Sequence, residues 1–261
     1  MSALAWRHRA LVAELAKREF SGRYRGSFGG LAWSFAQPLF LLAVYTVAFG
    51  VVLQMRWGFG GGTREYALML FAGLIVFNAF AECLNNAPSL IASNPNYVKK
   101  VVFPLEVLPW VTALAAMVHA VIGIAVWLAG YAFLIGTPSP AALLFPAVLA
   151  ALFPVLLGVG WLLSAIGLVV RDVGQLTGLV AHALLFLTPI FYGIDAAPPA
   201  LQRLLLLNPL TFVVEQLRLV LYHGQVPSFT GLAVYFALAC VFAFLSLVVF
   251  RRMRPRFADL L

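Results

Sequence analysis

Six apolar runs, approximately Leu31–Leu53, Tyr66–Cys83, Trp110–Ile135, Leu143–Val170, Leu176–Gly193 and Phe229–Phe250, set the terms on which this chain can fold. Each is near or above the roughly 18–20 residues that cross the hydrocarbon core of a bilayer as a helix. Hydrocarbon offers no partner to a peptide group, so only helices and closed barrels span it. The expectation is an all-α, polytopic integral membrane protein with six transmembrane helices. Hydrophobic residues make up 63% of the 261 and charged ones 10%, against about 45–50% and 25% in soluble domains, which excludes an ordinary soluble fold. Cys83 and Cys240 both fall in apolar runs, so they read as packing residues rather than a disulfide framework or a thiolate metal site.

The chain is basic, with 17 Lys+Arg against 9 Asp+Glu. A basic balance often points to nucleic acid, but here the charge sits beside apolar runs and reads as membrane topology. With six spans both termini lie on one side. Thirteen of the 17 basic residues then fall on that side, in the leader, at Lys99/Lys100, at Arg171 and in the tail RRMRPR, leaving Arg56, Arg64, Arg203 and Arg218 on the other. The asymmetry predicts cytoplasmic termini. Between Trp6 and Arg25 the residues Leu11, Val12, Leu15 and Phe20 recur at helical spacing among Arg7, Arg9, Lys17, Arg18, Arg23 and Arg25. That pattern predicts an N-terminal interfacial helix with its basic face on lipid headgroups.

The stretch Asn85 to Pro109 breaks the apolar pattern with four asparagines, four prolines and the Lys99/Lys100 pair. Its charges and proline-broken backbone must sit in water or at the interface, and the charge count puts it in the cytoplasm. On the other side, Ile194 to Ser228 is long but not polar. Pro198/Pro199 open one short apolar helix; Asn208 caps and Pro209 begins a second, which Gly224 can end. Glu215, Arg218 and Tyr222 form a polar stripe there, set against Leu210, Val213, Val214, Leu217 and Leu221. Two helices too apolar for water and too short to span are expected to dip into the outer leaflet as re-entrant elements, a pore lining or gate. A simple amphipathic surface hairpin is the alternative.

Several chemistries lack support. No Gly-x-x-x-x-Gly-Lys-[Ser/Thr] loop is present, so an ATP-driven process must be powered by another chain. No Gly-x-Ser-x-Gly elbow occurs. His119 and His182 lie inside spans without a second ligand at zinc-like spacing and read as hydrogen-bonded packing residues. Glu82 and Glu106 flank the polar stretch, and their separation does not define an acid/base pair. The span interiors hold almost no ionisable groups, which disfavours coupling to an ion gradient. The drive is expected to arrive through the cytoplasmic surface. A membrane-embedded polyprenyl-phosphate transferase would need clustered acidic or histidine residues on its loops, and a passive channel would not need a stiff proline-bounded cytoplasmic element.

Four blocks carry a resemblance: ELAKREFSGRYRGSFGGLAWSFAQPLFLLAVYTVAFG, SLIASNPNYVKKVVFPLEVLP, LLSAIGLVVRDVGQLTGLVAHALLFLTPIFYG and NPLTFVVEQLR. In that order they resemble the type-2 ATP-binding-cassette permeases that export polysaccharides such as O-antigen and teichoic acid. The resemblance implies a homodimer with two separate ATP-binding cassette subunits, moving a polyprenyl-diphosphate-linked glycan across a bacterial inner membrane. No cofactor belongs to this chain; ATP and Mg would sit on the partner ATPase. It also implies an ATPase-coupling element, Ala87 to Val102, carried by Ser89, Asn94, Pro95, Asn96, Tyr97, Lys99 and Lys100. Gate helices are implied at about Pro199–Leu207 and Pro209–Tyr222, with Asn208, Pro209, Glu215, Arg218 and Tyr222 as gate residues. Trp33, Phe35, Phe40, Tyr45 and Phe49 offer aromatic faces that suit sugars and are the candidate channel lining. Export of capsule, teichoic acid, lipids or drugs is the neighbouring reading. The organisation expected is one permease domain: a leader over 1–30, six spans over 31–250 and a cytoplasmic tail over 251–261.

Overall fold

The computed structural model describes residues 8–24, 29–52, 62–98, 103–170 and 172–257, and every regular element among them is helical. The α-helices are α1 (Arg9–Tyr24), α2 (Trp33–Tyr45), α3 (Thr63–Asn86), the single turn α4 (Pro95–Val98), α5 (Leu108–Leu134), α6 (Phe145–Val169), α7 (Val173–Leu187), α8 (Pro199–Leu207), α9 (Pro209–Leu221) and α10 (Phe229–Met253). Proline in the first turn opens α5, α6, α8 and α9, where its missing N–H costs no helical hydrogen bond.

Four stretches are long and apolar enough to cross a bilayer: Thr63–Ser89, Leu105–Leu134, Pro140–Val169 and Phe229–Arg256. The other two expected spans are apolar but shorter, Trp33–Phe49 and Val173–Leu187. At 1.5 Å per residue α7 reaches only about 22 Å, against a hydrocarbon core of about 30 Å. Its end has a local cause: Thr188 precedes Pro189 and is extended, with φ −103° and ψ 137°, because the proline ring disfavours a helical residue before it. The continuation of α2, Thr46–Val52, is wound as a π-helix.

Helix α3 is the centre of the bundle. Every residue from Tyr66 to Phe80 is buried except Asn78, as expected of a helix that is apolar all round. Two fully buried tryptophans tie its neighbours together: Trp127 of α5 donates its indole N–H to the Leu68 carbonyl at 2.8 Å, and Trp161 of α6 donates to the Glu106 carbonyl at 3.0 Å. Burying an indole without such a partner would leave an expensive orphan donor.

The described ends of the chain meet at the start of α5. Val12 of α1 is buried against Val107 and Val111, with Leu15, Ala16, Trp110 and Leu114 around them. The apolar residues of the leader cover the first turns of α5. Arg254, just past α10, donates two hydrogen bonds to the carboxylate of Glu106, at 3.0 and 3.2 Å. We call this end of the bundle the base. At the far end α8 and α9 meet at Asn208 with a bend of 92°, and α9 packs across the start of α3. The chain leaves α9 through Gly224, whose φ of +64° suits glycine.

Candidate functional site

At the base, the polar stretch leaves α3 as a 3-10 turn, Ala87–Ser89, then makes a tight turn into α4. It is not a freely solvated loop. Ala87, Pro88, Leu90 and Ile91 are buried and anchor it, while Ala92, Ser93 and Asn96 form an exposed tip. The turn is tied locally: Asn94 donates from Nδ2 to the Leu90 carbonyl at 2.9 Å, and Ser89 donates from Oγ to the Asn86 carbonyl at 3.3 Å. Pro95 opens α4. Tyr97 stacks on Phe103, with ring centroids 4.3 Å apart and planes 11° apart, and its hydroxyl accepts from Arg18 Nη2 of α1 at 2.5 Å. The leader and the polar stretch thus form one surface. Lys99 and Lys100 lie outside the described residues.

What holds this surface against the bundle is a missing side chain. A Cβ on Gly167 of α6 would come within 2.6 Å of the Pro88 Cα and carbonyl oxygen. Backbone cannot yield as a flexible side chain would, so the close approach requires glycine there.

The far end is organised by Arg218. The sequence placed it on a polar stripe opposite the apolar face of α9, but its exposure is 0%, and it is buried together with Leu210, Val213, Val214, Leu217 and Leu221. The guanidinium donates from Nε to the Met69 carbonyl at 3.0 Å, from Nη1 to the Pro189 carbonyl at 2.6 Å and to Glu215 Oε1 at 2.8 Å, and from Nη2 to the Ile190 carbonyl at 2.8 Å. The break after α7 leaves carbonyls without a helical partner, and a planar fork of donors suits them. Asn208 works on the same break. Its Oδ1 accepts from the Leu210 N–H at 2.9 Å, the expected N-cap, while its Nδ2 donates to the Leu187 carbonyl at 3.1 Å and to Thr188 Oγ1 at 2.8 Å. Tyr66 donates its hydroxyl to the Phe191 carbonyl at 2.8 Å. Pro209 occupies the first turn of α9. Tyr222, just past α9, packs edge-on to Tyr131 at 6.2 Å, and burial, helped by the carboxylate of Glu65, pushes its phenol up from the ordinary value.

The five candidate channel aromatics separate into two groups. Trp33, Phe35 and Phe40 are exposed on α2. Tyr45 and Phe49 turn toward the core, where Phe49 contacts Tyr66 and Phe191 at ring distances of 6.2 and 5.3 Å. The histidines also diverge. His182 is exposed and bonds within its own helix, to the Gly178 carbonyl at 2.7 Å. His119 of α5 instead meets Glu82 of α3, Nδ1 to Oε2 at 2.8 Å, with the Phe20 ring of α1 against the imidazole at 5.2 Å. Sequence separation hid this pair; the only signal was that both are ionisable groups inside apolar runs. Glu106, read as a carboxylate at a membrane edge, is a buried anchor for Arg254 and lies 3.6 Å from Arg251 Nε.

These elements define a multi-pass helical membrane protein with an anchored, polar surface at one end and a broken helix clamped at the other. The chain matches the ABC-2 type transporter family over residues 10–222 and belongs to that family. It is 26% identical over 258 residues to the O-antigen export system permease protein RfbA of Myxococcus xanthus, a similarity covering 97% of this chain and 96% of that protein. It is also 24% identical over 253 residues to a protein of the same description from Klebsiella pneumoniae, covering 96% and 95%. The chain is a transmembrane permease of the ATP-binding-cassette class.

Proposed function

We propose that this chain is the permease subunit of an ATP-driven exporter that moves a polyprenyl-diphosphate-linked polysaccharide, of the O-antigen kind, outward across a bacterial inner membrane. The observation that carries this reading is the similarity, along nearly the whole chain, to proteins described as O-antigen export permeases. In this reading two copies pair with two separate ATPase subunits, which bind ATP and Mg; the chain is a single permease domain that performs no chemistry itself. Both termini are cytoplasmic. The contacts of Val12 with Val107 and of Arg254 with Glu106 support an even number of crossings, hence six, with α2 and α7 as the short ones and α8–α9 as a re-entrant gate on the outer side.

The base is the ATPase-docking surface. Its exposed tip, Ala92, Ser93 and Asn96, stands on the buried Leu90 and Ile91, a geometry that transmits a push rather than absorbing it. Ser89, Asn94, Pro95, Tyr97, Lys99 and Lys100 complete the coupling element. The exposed aromatics of α2 and the exposed Leu176, Leu179 and Phe186 of α7 form the apolar faces that a second copy covers and between which the glycan passes.

The test is complementation in a strain lacking its own O-antigen permease, supplied with this chain and its ATPase. Surface glycan is expected with the wild type and lost when 92–98 is deleted, while the deleted protein remains in the membrane and loses co-purification with the ATPase. Normal export by the deletion variant would overturn the coupling assignment, and no export by the wild-type pair would overturn the exporter reading.

A further inference from the structure

Between α2, α3 and α5 lies a cavity of about 510 Å³, within the roughly 300–1,000 Å³ of ligand sites. Its polar wall carries three primary amides, Gln37, Asn78 and Asn85, beside the His119–Glu82 pair. All three amides are exposed to this space, and among the described residues none of their side chains has a hydrogen-bond partner. Asn78 is the telling one. It is the single exposed residue in the buried run Tyr66–Phe80 of a membrane-spanning helix, where an amide without a partner is costly and marks a functional position.

The lining also restricts what can enter. Among the described residues that form it there is no lysine or arginine, and the one carboxylate, Glu82, is bonded to His119. Among the described lining residues an anion would find no Lys or Arg charge to compensate it, so this wall is a poor match for the diphosphate of a lipid-linked glycan. Three amides, each offering two donors and an acceptor, match neutral hydroxyls instead. The opposite part of the wall, Phe71, Leu74 and Ile75, is apolar and suits C–H faces or an aliphatic chain.

We propose that this cavity is a binding site, one per subunit, for a neutral sugar unit, with Gln37, Asn78 and Asn85 as the hydroxyl-recognising residues. The proposal rests on the exporter reading only for the source of that sugar, which is either the transported glycan or a resident glycolipid.

The test uses the full chain in lipid nanodiscs and three sub-micellar probes with one tail: n-octyl β-D-glucoside, n-octyl phosphate and n-octylammonium. The glucoside is expected to bind saturably. Asn78→Trp, which fills the space, and Gln37→Leu, which removes an amide, should each weaken it at least tenfold, whereas Asn78→Gln should keep it within threefold. Each variant is compared at an unchanged thermal unfolding midpoint, with Asn78→Ala in place of Asn78→Trp should the larger residue impair folding. Binding of octyl phosphate or octylammonium that is equally strong and equally sensitive to these variants would overturn the proposal, as would glucoside binding that none of them changes. Export separates the two sources: a fall with Asn78→Trp at normal ATPase association assigns the sugar to the cargo, and undiminished export with lost glucoside binding assigns it to a glycolipid. Loss of the exporter reading reads out separately, as failure of the wild-type chain to restore surface glycan while the glucoside still binds.

Discussion

Arg218 uses a charged side chain as backbone repair. Three of its hydrogen bonds go to carbonyls, two of them at the break after α7 and one on α3, and the fourth goes to Glu215. Removing it takes the partner from the Pro189 and Ile190 carbonyls in a dry place, which costs about 1–3 kcal/mol for each buried group left unsatisfied; Met69 lies inside α3 and keeps its helical bond. Arg218→Met should therefore lower the thermal unfolding midpoint of the purified protein and abolish export. Arg218→Lys should recover little, because a single ammonium cannot reach four acceptors spread across a planar fork. A lysine variant with wild-type stability would show that the bond geometry is immaterial. Little of this was legible in advance. Asn208 and Pro209 announced a helix start by residue type alone, and the structure has that cap. Arg218, by contrast, read only as part of a polar stripe, because helical spacing with Glu215 and Tyr222 reports a stripe and not what the stripe packs against. The carbonyls that accept from it lie 28, 29 and 149 residues away, beyond any local pattern.

At the level of elements, the apolar runs gave the long helices with good boundaries, since length and hydropathy decide membrane insertion almost by themselves. They overstated α7. An apolar run continues through Thr188-Pro189, but a helix does not, and composition alone does not register the difference. In the leader, helical spacing marked Val12 and Leu15 as an apolar face but not its partner, which is the start of α5. The proposed coupling segment offers a direct test of its anchoring on α6. Gly167→Val should displace Pro88 and with it the docking tip, lowering stimulation of the ATPase by the permease several-fold in proteoliposomes while insertion and the α-helical signal stay unchanged. An unaltered ATPase response would mean that the segment moves independently of α6.

For the whole molecule, the arrangement predicts sidedness and pairing. In a background with Cys83 and Cys240 replaced by alanine, Asn96→Cys should react with a membrane-impermeant maleimide only in inverted vesicles, and Leu179→Cys on the exposed face of α7 should cross-link to a second copy. Labelling of Asn96→Cys from the periplasmic side would reverse the topology, and a Leu179→Cys protein that stays monomeric under oxidation would move the subunit contact elsewhere.

The glycines of α6 carry a further consequence. Besides Gly167 against Pro88, a Cβ on Gly160 would meet Pro109 at the start of α5 at 2.9 Å, and one on Gly158 would meet Phe242 of α10 at 2.4 Å. One helix is thus notched to three neighbours with no slack between them. A side chain added at any of these three positions would wedge α6 off one neighbour, and because one close-packed helix holds the other two, the displacement would be felt at all three contacts.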